Sequence, residues 1–125
     1  MVLVDTCGWI EWMIDSPLAK SYSRYLTSPN SLIVPSLVQY ELYKWLYREI
    51  DPPTALSAIA ATQTATVIPL DTSLALLAAD TAREFKLAMA DAIIYATARQ
   101  HRATIITSDA HFADLPHVKY FAMTS

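Results

Sequence analysis

Leu87-Ala88-Met89-Ala90-Asp91-Ala92-Ile93-Ile94-Tyr95-Ala96-Thr97-Ala98 is the stretch from which the fold of this chain is read. It holds no Gly or Pro and is rich in Ala, Leu, Met and Ile, so it is expected to be helical. Apolar residues fall on nearly every side, which predicts a buried helix rather than a half-wetted one. One carboxylate, Asp91, lies in its opening turns, above Ile94, Tyr95 and Ala98 at i+3, i+4 and i+7. A buried carboxylate needs backbone N–H groups, a cation or a metal, or it takes up a proton. Two readings stand here: Asp91 caps the helix, or it is a functional acid.

Working outward, short apolar runs alternate with helical stretches. Val2-Leu3-Val4 suits a buried strand ending at Asp5-Thr6. Gly8 to Ile14 reads as helical, and Ser16-Pro17 opens a further helix through Tyr22, Tyr25 and Leu26. A turn at Ser28-Pro29-Asn30-Ser31 leads into a second strand, Leu32-Ile33-Val34, closed by Pro35. Ser36 is placed to cap a helix reaching about Glu49, whose stripe is Leu37, Val38, Leu42, Trp45 and Leu46. Glu41 falls on that stripe, either paired with Lys44 at i+3 or held there for function. Asp51-Pro52-Pro53 ends this helix and starts another, Ala55 to Thr62. Thr66-Val67-Ile68 is a third strand, after which Asp71 caps a helix from Ser73 to Glu84. Beyond the Asp91 helix, Ala103 to Thr107 is a fourth strand ending in Ser108-Asp109. A connection with His111, Phe112 and Asp114 follows, then an edge strand from Val118 to Phe121. Strands separated by helices imply an α/β domain with a mainly parallel, covered sheet.

The chain has 125 residues, 54% of them apolar and 17% charged, which fits one globular domain over residues 1–125. Its one glycine, Gly8, argues against an all-β fold of tight hairpins. No run reaches the roughly 18 apolar residues of a membrane span, and Met1 to Asp5 lacks the features of a signal peptide. Cys7 alone forms no internal disulfide, which is compatible with a reducing cytosol, so a cytoplasmic protein is expected. With no base beside it in sequence, Cys7 reads as a small buried residue rather than a nucleophile. The net charge of −3 leaves no broad basic surface for nucleic acid. Lys20/Arg24, Lys44/Arg48, Arg83/Lys86 and Arg99/Arg102 are nevertheless spaced to share helix faces, as solvated surface or as a rim that grips phosphates.

Ligands of parallel sheets bind beyond the carboxyl ends of the strands. Asp5 and Asp109 stand at two such ends, and Glu41 and Asp91 in the opening turns of helices. Gathered carboxylates repel one another unless a cation sits among them. Oxygen ligands without a Cys/His cluster favour Mg²⁺ or Mn²⁺ over zinc. His101, His111 and His117 have no ligand-like spacing and read as surface or core-edge residues. Mg²⁺ held by a few carboxylates suits phosphate chemistry.

Val4-Asp5-Thr6, Ser36-x4-Glu41-Leu42, Ala90-Asp91-Ala92-Ile93-Ile94-Tyr95-Ala96-Thr97-Ala98 and Thr107-Ser108-Asp109-x2-Phe112 together resemble the four signatures of PIN-domain nucleases, in that family's order and spacing. In length and pattern the chain is most similar to the VapC toxins of VapBC toxin–antitoxin pairs. The resemblance implies a PIN-like α/β/α sandwich around a mainly parallel sheet of four to five strands. It assigns the acidic centre to Asp5, Glu41, Asp91 and Asp109. Asp5 and Asp91 match the positions credited with holding Mg²⁺, Asp109 completes the site, and Glu41 would bind a second metal or orient water. Thr6 and Thr107 would line the pocket, and Asp114 matches a position that is acidic in some members only. Many relatives have a glycine shortly before the Asp91 motif, where this chain has Phe85-Lys86-Leu87.

The implied activity is Mg²⁺-dependent hydrolysis of RNA phosphodiesters, leaving 5′-phosphate and 3′-hydroxyl ends, with Mn²⁺ as an alternative metal. The implied partners are the RNA substrate, a second copy of the chain, and a VapB-type antitoxin whose Arg pairs with the carboxylates. Trp9, Trp12, Tyr22, Tyr25, Tyr43, Trp45 and Tyr47 are candidates for the antitoxin groove or dimer interface, against ordinary core packing for some. RNA is expected to be gripped by Lys44, Arg48, Arg99 and Arg102 around the acids. Two rival readings remain. A receiver-type phosphoacceptor domain would want paired acids after the first strand and a late Lys in a defined setting, which Val4-Asp5-Thr6 and Lys119 do not offer. A non-catalytic PIN-like module binding RNA or protein is the other, and the four acids weigh against it.

Overall fold

The computed structural model describes residues 1–122. Five strands, β1 Val2–Val4, β2 Leu32–Pro35, β3 Thr66–Ile68, β4 Thr104–Thr107 and β5 Val118–Tyr120, form one sheet in the order β3-β2-β1-β4-β5. Every neighbouring pair among them is parallel, and Leu3 lies between Ile33 and Ile105. Parallel neighbours require long crossovers, and helices supply most of them. Helices α1 (Thr6–Met13) and α2 (Ala19–Leu26) join β1 to β2, and α3 (Ser36–Glu49) and α4 (Pro52–Thr62) join β2 to β3. Helices α5 (Thr72–Phe85) and α6 (Met89–Gln100) lead from β3 to β4, and a short 3-10 turn, Ala110–Phe112, precedes β5.

Leu3, Val4, Leu32, Ile33, Val34, Ile105 and Ile106 are all buried. That is why these strands read as unbroken apolar runs: helices shield them from water. The Asp91 helix is buried as its composition requires, with every residue from Ala92 to Ala98 out of solvent. Ile94, Tyr95 and Ala98 enter the main core, while Ile93 and Ala96 pack with Leu74 and Ala78 of α5 in a second cluster.

Gly8 is where α1 crosses closest to its neighbours. A methyl group there would come within 2.5 Å of both the Tyr22 ring and Val4 Cγ1, far inside van der Waals contact. Lys86, the residue that ends α5, has φ 55, a left-handed conformation that favours glycine. It falls in the Phe85-Lys86-Leu87 segment, so the turn forms here without a glycine.

One cap differs from expectation, and one open reading of a cap is decided. Ser36 does not cap α3: it is the first helical residue, preceded by extended Pro35, and no side chain bonds the first turn. Pro35 closes β2 with its own fixed φ, so the chain passes straight from strand to helix. Asp91 does not cap α6 either, because Ala88 is the last extended residue and Asp91 is already in the first turn. Asp71 and Asp51 do cap, accepting from Leu74 N at 2.9 Å and Thr54 N at 2.7 Å. Asp51 also draws the start of α4 back to Pro52, ahead of the expected Ala55. No helix among the described residues is long and apolar enough to cross a membrane.

Candidate metal centre

Asp5 is the residue at which β1 turns into α1. Its Oδ1 accepts from Thr6 N at 2.8 Å and its Oδ2 from the Thr107 hydroxyl at 2.9 Å. The group is 5% exposed, and burial is the chief reason its pKa rises from 3.8 to about 6. The two hydrogen bonds oppose that rise, while the nearby charges of Asp109 and Glu41 add to it. Thr107, the last residue of β4, also serves Asp109, whose backbone N donates to the same hydroxyl oxygen at 2.9 Å. One hydroxyl thus links two acids that are far apart in sequence.

Asp109 starts the 3-10 turn by accepting from His111 N at 2.9 Å. The turn swings the His111 ring over the acids, with Nδ1 3.0 Å from Asp91 Oδ2 and 3.5 Å from Asp109 Oδ1. Asp91, Asp109 and His111 offer ligand atoms all within 4.8 Å of one another. Burial, opposed by the His111 hydrogen bond, raises the Asp91 carboxyl above its ordinary value.

Glu41 approaches from the first turns of α3. Of the two readings of Glu41, the pair with Lys44 does not form; instead Glu41 Oε1 accepts from the Thr6 hydroxyl at 2.7 Å, and the Lys44 ammonium stands 5.6 Å above the Tyr40 ring. Among the described residues, no Lys or Arg forms an ion pair with Asp5, Glu41, Asp91 or Asp109. A cluster of acids without a Lys or Arg partner among the described residues fits a bound divalent cation, and Asp91 with Asp109 and His111 is the set close enough to share one.

Lys44 and Arg48 line a cavity of about 310 Å³ together with Thr6 and Glu41, beside the acids. Arg99 and Arg102 do not: they line a separate cavity with Thr104, at the opening of β4 and so at the opposite end of the sheet. Asp114 has no ion pair among the described residues. Trp9 and Tyr22 are core residues, whereas Tyr43 and Tyr47 are exposed and pack on each other at 5.6 Å. Trp12, Tyr25 and Trp45 are partly buried against the core.

His111 is the residue that spacing alone did not single out for the site. The available signal was Ser108-Asp109, since an Asp after a strand often starts a turn by accepting a backbone N–H two residues on. Cys7 differs too: it is half-buried, with Sγ 3.7 Å from Asp5 Oδ2 and 3.5 Å from the hydroxyls of Thr107 and Ser108. Burial, helped by the Asp5 charge, pushes its thiol up, which disfavours the thiolate that a nucleophile needs.

The PIN domain family model matches residues 2–118. A toxin–antitoxin complex from Klebsiella pneumoniae contains a chain of similar structure, with TM-score 0.81, 25% identity, and 95% of this chain and 96% of that chain covered. VapBC2 from Rickettsia felis, bound to a DNA fragment from its promoter, has TM-score 0.76 at 17% identity, covering 96% and 98%. VapC20 of Mycobacterium tuberculosis, a sarcin–ricin loop cleaving toxin, has TM-score 0.72 at 16% identity, covering 98% and 90%. Comparison with curated proteins gives no significant match. Four acids brought to one end of a parallel sheet, on a fold shared with VapC-type toxins, agree with the family match: the chain belongs to the PIN-domain family.

Proposed function

We propose that this protein is a single-domain, divalent-metal-dependent endoribonuclease and the toxin of a type II toxin–antitoxin pair. The observation that carries the reading is the convergence of Asp5, Glu41, Asp91 and Asp109 from four separate segments with no Lys or Arg to neutralise them. Asp91 and Asp109 would hold Mg²⁺ or Mn²⁺, with His111 as a nitrogen donor and Asp5, bonded to the same Thr107 hydroxyl as the Asp109 backbone, completing the site. When bound, such a cation neutralises charge on the scissile phosphate and lowers the pKa of water. Thr107 fixes the Asp5 carboxyl and the Asp109 backbone, so that both acids keep their aim. Thr6 holds one oxygen of Glu41, leaving the other to orient water or a second cation. Lys44 and Arg48, on the cavity that reaches Glu41, would grip phosphates of the entering strand.

The partner of this reading is a VapB-type antitoxin, supported by the toxin–antitoxin complexes among the structural relatives. An Arg of that partner would pair with the unneutralised acids, and exposed Tyr43 and Tyr47 offer contact area on α3. The chain would act in the cytoplasm as a homodimer. The test is cleavage of an RNA panel by the full chain after chelation and after Mg²⁺ or Mn²⁺ is returned, beside Asp5→Asn and Asp109→Asn. Expected is activity only with metal, and a loss of at least about 100-fold in each folded variant. Metal-independent cleavage, or full activity in both variants, would overturn the reading.

A further inference from the structure

At the opposite end of α6 from Asp91 lies a cavity of about 390 Å³, lined by Tyr95, Ala98, Arg99, Arg102, Thr104 and His117 among others. Its size and make-up, apolar walls with a few polar groups, are those of small-molecule sites. It is separate from the acidic centre, because Thr104 opens β4 whereas Thr107 and Asp109 lie at and beyond the other end of that strand. Arg99 lies about 12 Å along the helix from Asp91.

One cation of this cavity, Arg99, is held in place by its neighbours. Arg99 stands 5.3 Å over the Phe85 ring, with Nη1 3.1 Å from the Glu84 carboxylate. Glu84 offsets part of that charge. Arg102 has no carboxylate partner among the described residues. Four described non-glycine residues have positive φ, and two of them, Arg102 at 54° and His117 at 62°, line this one cavity. Arg102 occupies the turn just past α6, in which Ala103 N bonds Ala98 O at 2.8 Å. Glycine is the residue that such a turn favours. An arginine there, beside a second arginine, concentrates positive charge in a chain of net charge −3.

We propose that this cavity binds the phosphate of a nucleotide, with Arg102 and Arg99 donating to its oxygens and the apolar wall taking the sugar or base. Arginine is suited to this by its planar fork of N–H donors. The nucleotide is either free or a unit of an RNA strand, and the site is independent of hydrolysis at the acids.

The test uses the full chain with chelator present, so that no metal at the acidic centre contributes. Adenosine 5′-monophosphate, inorganic phosphate and a short RNA are titrated against the parent, Arg102→Gly and Arg99→Gln. Arg102→Gly is expected to unfold at a temperature no lower than the parent's, because glycine suits the turn, yet to bind at least about tenfold more weakly. Arg99→Gln checks the result in a variant that leaves the turn untouched. Weakened binding of the mononucleotide supports the site with a free nucleotide as ligand; weakened binding of the RNA alone supports it with a strand phosphate as ligand. The proposal is overturned if no probe binds the parent, or if both folded variants bind every probe as tightly as the parent does.

Discussion

At the scale of single residues, Asp5 has the strongest physical signature. Its ordinary pKa of 3.8 rises to about 6 in the folded chain, chiefly through burial. The folded state therefore holds the proton more tightly than the unfolded state does. The stability this contributes is fully present below about pH 3.8 and is lost as pH rises through about 6, on the order of 3 kcal/mol in all. With chelator present, the melting temperature of Asp5→Asn relative to the parent should thus rise between pH 4 and pH 7; a constant difference would contradict the assigned cause. His111 gives a second prediction. If it donates to the metal shared by Asp91 and Asp109, His111→Ala should weaken Mn²⁺ binding about tenfold or more while RNA affinity without metal stays the same. That the four acids converge was legible in the sequence, because strand ends and helix starts meet at one end of a parallel sheet. His111 was not, since its place depends on a hydrogen bond between Asp109 and its own backbone N–H. Nor was the Thr6–Glu41 contact, which needs α1 and α3 to meet.

At the scale of elements, the strands were legible as apolar runs and the helices by their periodicity, but local geometry set the exact ends. Proline at the end of β2 took the cap position expected of Ser36. Helix direction mattered more. Spacing placed Lys44/Arg48 and Arg99/Arg102 alike on helix faces, yet α6 runs away from the acids and carries Arg99 to the opposite end of the sheet. The single glycine is an element-scale constraint as well. Gly8→Ala would drive a methyl group into the Tyr22 ring and Val4, and should cost about 3 kcal/mol, read as a lower urea midpoint. An unchanged midpoint would mean that α1 can move off its neighbours without loss.

For the whole molecule, the proposed cleavage of RNA requires an acidic chain, with its own acids at the site, to attract a polyanion. On that proposal, local attraction would fall to Lys44 and Arg48, which line the cavity beside Glu41, and to a bound cation, not to net charge. Each phosphate contact removed should lower the log–log slope of RNA affinity against salt by about one. Neutralising Lys44 and Arg48 together should therefore flatten the slope by about two in an Asp91→Asn background that does not cleave. Coincident slopes would return both residues to solvated surface.

The most direct measurement is the melting temperature of the full chain titrated with Mn²⁺, parent beside Asp5→Asn/Asp91→Asn. A cation that binds only the folded acidic centre stabilises in proportion to the logarithm of its concentration above Kd. The melting temperature should climb with Mn²⁺ in the parent and stay nearly flat in the double variant, whose metal-free form is at least as stable because acid repulsion is relieved. Equal climbs in both proteins would contradict a shared metal site built from these carboxylates.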